Sequence, residues 1–274
     1  MKFESFQNNF CKSVLGVRKC TSNIGVKAEL GMYPLSITIM QKLLHYYVRL
    51  KCMDDYFLAK KALSIQSDMY NNECSNTNLT KRSYLHSVYS TVEFCKCYKF
   101  QINKMGTSMS KSSKSNLKKH LEKMYTNLYK NEMDKINEPH NKLRIYNLVK
   151  RVYKKELYLD HINSADIRRS VSKFRLSDHS LPIEIGRRQN LPTENRFCKK
   201  CNLNKIGDEY HLISECSNSK LITLRENLFL NISTLTPQFK LLSKYDKFLY
   251  IFSYSDKSII NPTSIFTHKA LKIM

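Results

Sequence analysis

From Ser36 onward the apolar residues Met40, Leu43, Leu44, Tyr47, Val48 and Leu50 recur at the three- and four-residue steps of an α-helix, with polar residues between them. The spacing predicts an amphipathic helix whose apolar side packs into a core. Tyr56, Ala59, Leu63 and Tyr70 continue the helical spacing, and Tyr84, Val88, Val92 and Cys95 predict a further helix. MGTSMSKSSKS, residues 105–115, is small, polar and without period, and reads as a linker. Beyond it Leu117, Leu121, Met124 and Leu128 again fall on one helical side, and a second break at NEPHN, residues 137–141, leads into a helix from about Lys142 to Leu159. Six glycines and no sustained strand alternation point to a mostly α fold. The expected organisation is a helical region over 1–104, the linker, and a helical C-terminal domain over 116–274. No internal repeat is visible.

Composition adds a partner and a compartment. With 274 residues, 42% of them apolar, the chain can fill a real core. MKFESFQNNF lacks the apolar run of a signal peptide, and the stretch from Leu35 to Leu50 is broken by Gln41, Lys42 and Arg49, so neither secretion nor a membrane span is expected. Nine cysteines without an export signal imply a reducing, intracellular setting, nucleus or cytoplasm, where thiols stay free or hold metal. The formal net charge of +23 makes a polyanion the expected partner. Basic residues exceed acidic ones in every segment, but residues 161–230 hold seven of the twelve arginines, so positioned phosphate contacts are expected there. For any one arginine the alternative is a solvated basic face.

Within that segment FCKKCNLNKIGDEYHLISEC carries Cys198-x2-Cys201-x9-His211-x4-Cys216. Zinc needs four soft or borderline ligands about 2.0–2.3 Å from the ion. Cys198 and Cys201 supply two thiolates from one short turn, and His211 and Cys216 complete the set from one helical turn or near it. Asn202, Asn204, Gly207 and Asp208 suit the loop between. Four protein ligands leave no place for water, so the zinc is expected to be structural. The alternative is a loop with free thiols. Cys95-x-Cys97 is too tight for the usual chelating turn and reads as two helix-surface or core thiols.

Residues 173–216, KFRLSDHSLPIEIGRRQNLPTENRFCKKC…DEYHLISEC, resemble the segment downstream of the polymerase in LINE-type (non-LTR) retrotransposon reverse transcriptases. The shared order is an Arg-containing helix end, a His before a short turn, I-E-x-G-R, a Pro-containing link and the zinc cluster. LGVRKCTSNIGVKAELGMYPL (15–35), NKLRIYNLVKRVYKKELYLD (141–160) and IFTHKALKI (265–273) resemble three further stretches of that family. No finger or palm motif occurs in these residues, so the resemblance implies a C-terminal fragment that catalyses nothing by itself.

CMDDYF, residues 52–57, imitates the Tyr-x-Asp-Asp hairpin of a polymerase. Asp54 and Asp55 sit between two helical patterns, however, rather than in a strand-turn-strand. In SDHS, residues 177–180, Ser177 and Asp178 read as turn or cap residues and His179 as a packed or surface histidine rather than a triad base. The expected nucleic-acid contacts are Arg168, Arg169, Arg175, Arg187, Arg188, Lys199 and Lys200, with stacking from Phe197 or Tyr210 unless these belong to the core. RNA or DNA is the expected partner, with a polymerase core in trans as a further one. Retroviral nucleocapsid knuckles share the outer ligand intervals but have a shorter middle, so metal binding carries over and base-specific readout does not. The rival expectation is a zinc-stapled helical interaction module that binds no nucleic acid. A zinc hydrolase is disfavoured by the filled coordination sphere.

Overall fold

The computed structural model describes residues 2–72, 84–97, 111–135, 142–150, 152–253 and 256–274, and the periodic stretches of the sequence are helices in it. The helices of the described residues begin with α1 (Lys2–Leu15), α2 (Asn23–Leu30), α3 (Leu35–Lys51), α4 (Leu58–Asn72), α5 (Tyr84–Cys97) and α6 (Lys111–Asp134). After these come α7 (Arg144–Val149), α8 (Tyr158–His161), α9 (Ala165–Arg175), α10 (Pro182–Arg188), α11 (Ser219–Leu235), α12 (Lys244–Ser253) and α13 (Lys257–Ile273). Among the described residues extended pairing is confined to two isolated bridges, so the fold is mostly α. Among them, too, no helix is long and apolar enough to cross a membrane.

The chain forms two compact units, residues 33–129 and residues 1–32 with 130–274. These boundaries differ from the division at 105–115 expected from composition. Residues 105–110 lie outside those described, and 111–115 belong to the first turns of α6. In the unit of residues 33–129, Ile37 and Leu44 of α3 pack with Leu117, Leu121 and Met124 of α6. Tyr47 and Leu50 of α3 meet Leu63 of α4 and Val88 of α5 in a second cluster. Each such buried side chain contributes about 1.5–3 kcal/mol. The residues of CMDDYF form the end of α3's last turn and the turn into α4, so Asp54 and Asp55 have no strand-turn-strand around them. Tyr56 lies in that same turn, 69% exposed, and not on a helix as its spacing suggested. The side chains of Cys95 and Cys97 lie outside those described.

In the other unit, α9, α11 and α13 form the centre, with α1 and α8 against them. Ser22 caps α2 by accepting from the Gly25 N–H, and Gly31 ends it in the left-handed region at φ 62°. A Cβ on Gly31 would lie 2.3 Å from the Lys155 nitrogen, at the bridge that pairs Leu30 with Lys155. That bridge explains why the helix expected over 142–159 is two short ones: the chain is extended near Lys155 and Glu156 so that it can pair with the end of α2. The break at 137–141 lies outside the described residues.

Arg175, at the end of α9, is fully buried. Its Nε donates to Glu29 Oε1 at 2.7 Å, its Nη2 lies 3.1 Å from Glu156 Oε2, and its Nη1 donates to the Phe252 carbonyl at 2.8 Å. Lys150 bonds Glu156 from the other side, and Tyr146 and Tyr158 present their rings to the guanidinium. Burial alone would lower the pKa of Arg175, but the two carboxylates raise it above the ordinary arginine value. This is a closed internal ion network, and Arg175 reaches no external phosphate. The expectation that it is a nucleic-acid contact is corrected: its place opposite Glu29 and Glu156 turns it inward.

Candidate metal centre

The metal loop leaves α10 through Pro192 and a short 3-10 turn (Thr193–Asn195) and doubles back on itself. Phe197 and Ile206 form an antiparallel bridge, with the Cys198 N–H donating to the Lys205 carbonyl and the Gly207 N–H to the Arg196 carbonyl, each at 2.9 Å. Cys198 and Cys201 lie inside this loop, and Asn204 turns it at φ 48°. Gly207 is required by contact, since a Cβ there would meet Pro182 Cγ at 2.6 Å. The loop then enters a π-helical turn, His211–Glu215, whose start is fixed by Asp208 Oδ1 accepting from the His211 N–H at 2.8 Å.

The π turn solves a register problem. Five residues along an α-helix rotate a side chain by about 500°, leaving it about 140° from the first. A wider turn, closed here by the Cys216 N–H on the His211 carbonyl at 2.8 Å, returns the chain after five residues. Cys216 thereby joins His211 on one side. The ligand atoms of Cys198, Cys201, His211 and Cys216 all lie within 4.8 Å of one another, and no other such group occurs among the described residues.

The distances fit a metal. Tetrahedral thiolates about 2.3 Å from one ion are about 3.8 Å apart. Cys198 Sγ and Cys216 Sγ are 3.9 Å apart, and Cys201 Sγ is 3.3 Å from His211 Nε2. The N–H of Lys200 points to the Cys198 sulfur, that of Leu203 to Cys201 and that of Asn218 to Cys216, so each sulfur has a donor two residues downstream. Such donors favour thiolate over thiol. Burial, with the neighbouring Cys198 and Cys201 thiols, pushes the Cys216 thiol up to about 12. Burial acts on Cys201 in the same direction, but the N–H groups of Leu203 and Ser217 hold it below the ordinary thiol range. Burial also lowers the His211 pKa, which keeps the imidazole in its neutral, ligating form.

Behind the cluster His211 Nδ1 faces Glu215 Oε2 at 3.6 Å, and Lys205 Nζ lies 2.9 Å from Glu215 Oε1. A carboxylate behind a ligating histidine fixes its ring and raises its basicity. Arg225 of α11 donates to the Cys216 carbonyl at 2.9 Å. On the other side, buried His179 accepts from the Leu181 N–H through Nδ1 at 3.3 Å, which leaves the proton on Nε2 to donate to buried Glu209 Oε1 at 3.0 Å. Its neighbour Asp178 accepts from the Arg18 backbone N–H and Nε at 2.9 and 2.7 Å. Asp178 and His179 of SDHS are therefore internal ties.

The expected basic contacts separate into three groups. Arg188, Lys199 and Lys200 are exposed, the first on the last turn of α10 and the other two between the first two cysteines. Arg187 is half-buried against Glu184, with Nε 3.2 Å from Oε2. Arg168 and Arg169 stand apart on α9, Arg168 holding the Asn163 carbonyl at 2.9 Å and Arg169 beside Asp166 at 3.2 Å. Of the aromatics, Tyr210 packs on Tyr245 and Phe248, whereas Phe197 is 43% exposed.

Sequence reasoning missed two features. A shallow groove between α11 and α13 is lined by exposed Lys220, Lys269 and Lys272. Asn218 Nδ2, donating to the Lys200 carbonyl at 3.4 Å, ties the start of α11 to the metal loop. The second feature is the carboxylate behind His211: Glu215, four residues on, was visible only as a helix-spaced neighbour. No family model, curated protein or solved structure matches this chain.

Proposed function

We propose that this chain is the non-catalytic C-terminal part of a LINE-type (non-LTR) retrotransposon reverse transcriptase, which binds zinc and holds RNA or DNA by its phosphates. The observation that carries the reading is a closed four-ligand site on a loop whose side chains Lys199 and Lys200 are basic and exposed, with Arg188 also exposed on the last turn of the preceding helix α10. Three sulfurs and one imidazole in a tetrahedral cage suit zinc among the common divalent metals. The bound ion would supply folding energy, and it would fix the loop from which the lysines project.

The family reading rests on the sequence resemblance, and the contacts support treating its separate stretches as one unit. Glu29 of the first stretch, Glu156 of the second and Arg175 of the third meet in a single ion network. α13, which holds the fourth, packs against α9 and α11. The reading that the chain catalyses nothing by itself is supported by a ligand set that would leave no position for a water and by Asp54 and Asp55 lying in a helix-to-helix turn. The compartment implied is intracellular and reducing, since thiolate ligands must stay unoxidised.

A salt titration of single-stranded oligonucleotide binding tests the reading. Each phosphate neutralised on a single strand contributes about −0.7 to the log–log slope. Replacing Arg188, Lys199 and Lys200 together by Ala is expected to flatten the slope by about 2, with similar weakening across sequences. Absence of binding near physiological salt would leave the zinc-stapled interaction module as the better reading.

A further inference from the structure

We propose that the groove between α10 and the metal loop takes one unpaired nucleobase, stacked on Phe197, with Lys199 and Lys200 holding the adjoining phosphates. The inference rests on the nucleic-acid reading above and adds a base-recognising site to it.

The groove encloses about 360 Å³, at the lower end of small-ligand sites and enough for one nucleoside. Its lining divides by chemistry. Leu191 and Phe197 are flat or apolar and exposed, Gln189 and Asn195 bring amide donors and acceptors, and Lys199 and Lys200 make a cationic side. An apolar ligand would leave the lysines and amides without partners, and a phosphate alone would leave the ring of Phe197 in water. A nucleotide satisfies all three surfaces: π-face on the ring, base edge to the amides, phosphates to the lysines.

Phe197 is also held as a platform. Its backbone is in the bridge to Ile206, and the next residue is a metal ligand. The opposite wall approaches closely because Gly186 has no Cβ. One there would come within 2.5 Å of Arg196 Cγ, whose guanidinium is fixed on the Leu191 and Ile183 carbonyls. Arg196 thus builds the wall, while the two lysines stay exposed. A base inside a duplex has both faces covered by its neighbours, so only an unpaired one offers a face to Phe197.

The test compares two labelled 12-mers with equal numbers of phosphates, one of uridines and one abasic throughout, by fluorescence anisotropy on the full chain. Wild type is expected to bind the uridine strand about tenfold more tightly. Phe197→Ala should remove that advantage while leaving affinity for the abasic strand, the salt slope and the metal content unchanged, and Phe197→Tyr should restore it. Running the same pair with deoxyribose identifies the strand, and a base-dependent advantage in either sugar form supports the groove. Equal affinity of wild type for base-bearing and abasic strands, or equal loss on both with Phe197→Ala, would overturn the base site and leave phosphate binding standing. Failure of every strand to bind would overturn both.

Discussion

At the scale of single residues, Arg175 and Lys199 show why equal formal charge carries unequal meaning. Arg175 is 0% exposed and paired with Glu29, also 0% exposed. Breaking such a pair leaves an uncompensated buried charge, so Glu29→Ala is expected to destabilise the protein by about 3–5 kcal/mol, read as a shift in the urea unfolding midpoint. A loss below about 1 kcal/mol would mean that Glu156 alone balances the guanidinium. Arg175 was misread because basic neighbours surround it in sequence. The spacing held a signal, however: it stands four residues after Val171 and directly after Phe174, both buried, on the inward side of α9. What no local pattern contains is the position of its partners, which lie far along the chain in α2 and beyond α7. The four candidate metal ligands were legible for the opposite reason, since chelation sets short, recognisable intervals.

At the scale of elements, the intervals told which residues meet but not how. The nearly helical relation expected between His211 and Cys216 is realised only because the turn between them is π rather than α. Deleting Ser214 would let the segment relax to α spacing with His211 and Cys216 four apart, about 40° from each other and so still on one side, and would break the carboxylate contact of Glu215. Cobalt titration of this variant is expected to keep the intense tetrahedral thiolate bands at reduced affinity. Loss of the bands would show that the π turn itself is needed to bring the two ligands together.

A second test at this scale concerns α13, capped by Asp256. The Ser258 N–H and hydroxyl, with help from Tyr250, hold the Asp256 carboxyl below its usual range. A depressed folded-state pKa stabilises above the unfolded carboxylate value, and that contribution is lost as pH falls through the folded pKa. Asp256→Asn keeps the cap's shape without its charge. It is therefore expected to be less stable than wild type at neutral pH and equal to it once the pH has fallen below the depressed value; a difference independent of pH would contradict the assignment. The existence of α3, α4, α5 and α6 was readable from period, whereas the split between α7 and α8 was not, because it is imposed by the pairing of Lys155 with Leu30.

At the scale of the whole molecule, a net charge of +23 says that a polyanion is favoured but not where it lies. The fold distributes that charge unequally: part of it is internal, as in Lys150 and Arg175, and part stands exposed around the metal loop and along Lys220, Lys269 and Lys272. If the metal is what holds Lys199 and Lys200 in place, its removal must cost binding. The most direct measurement is the affinity for a single-stranded 12-mer at fixed salt before chelation, after chelation, and after zinc is returned, with helicity followed in parallel by circular dichroism. The account predicts at least a tenfold loss on chelation with most helicity kept, and recovery with one equivalent of zinc. Unchanged affinity in metal-free protein that is still helical would contradict it.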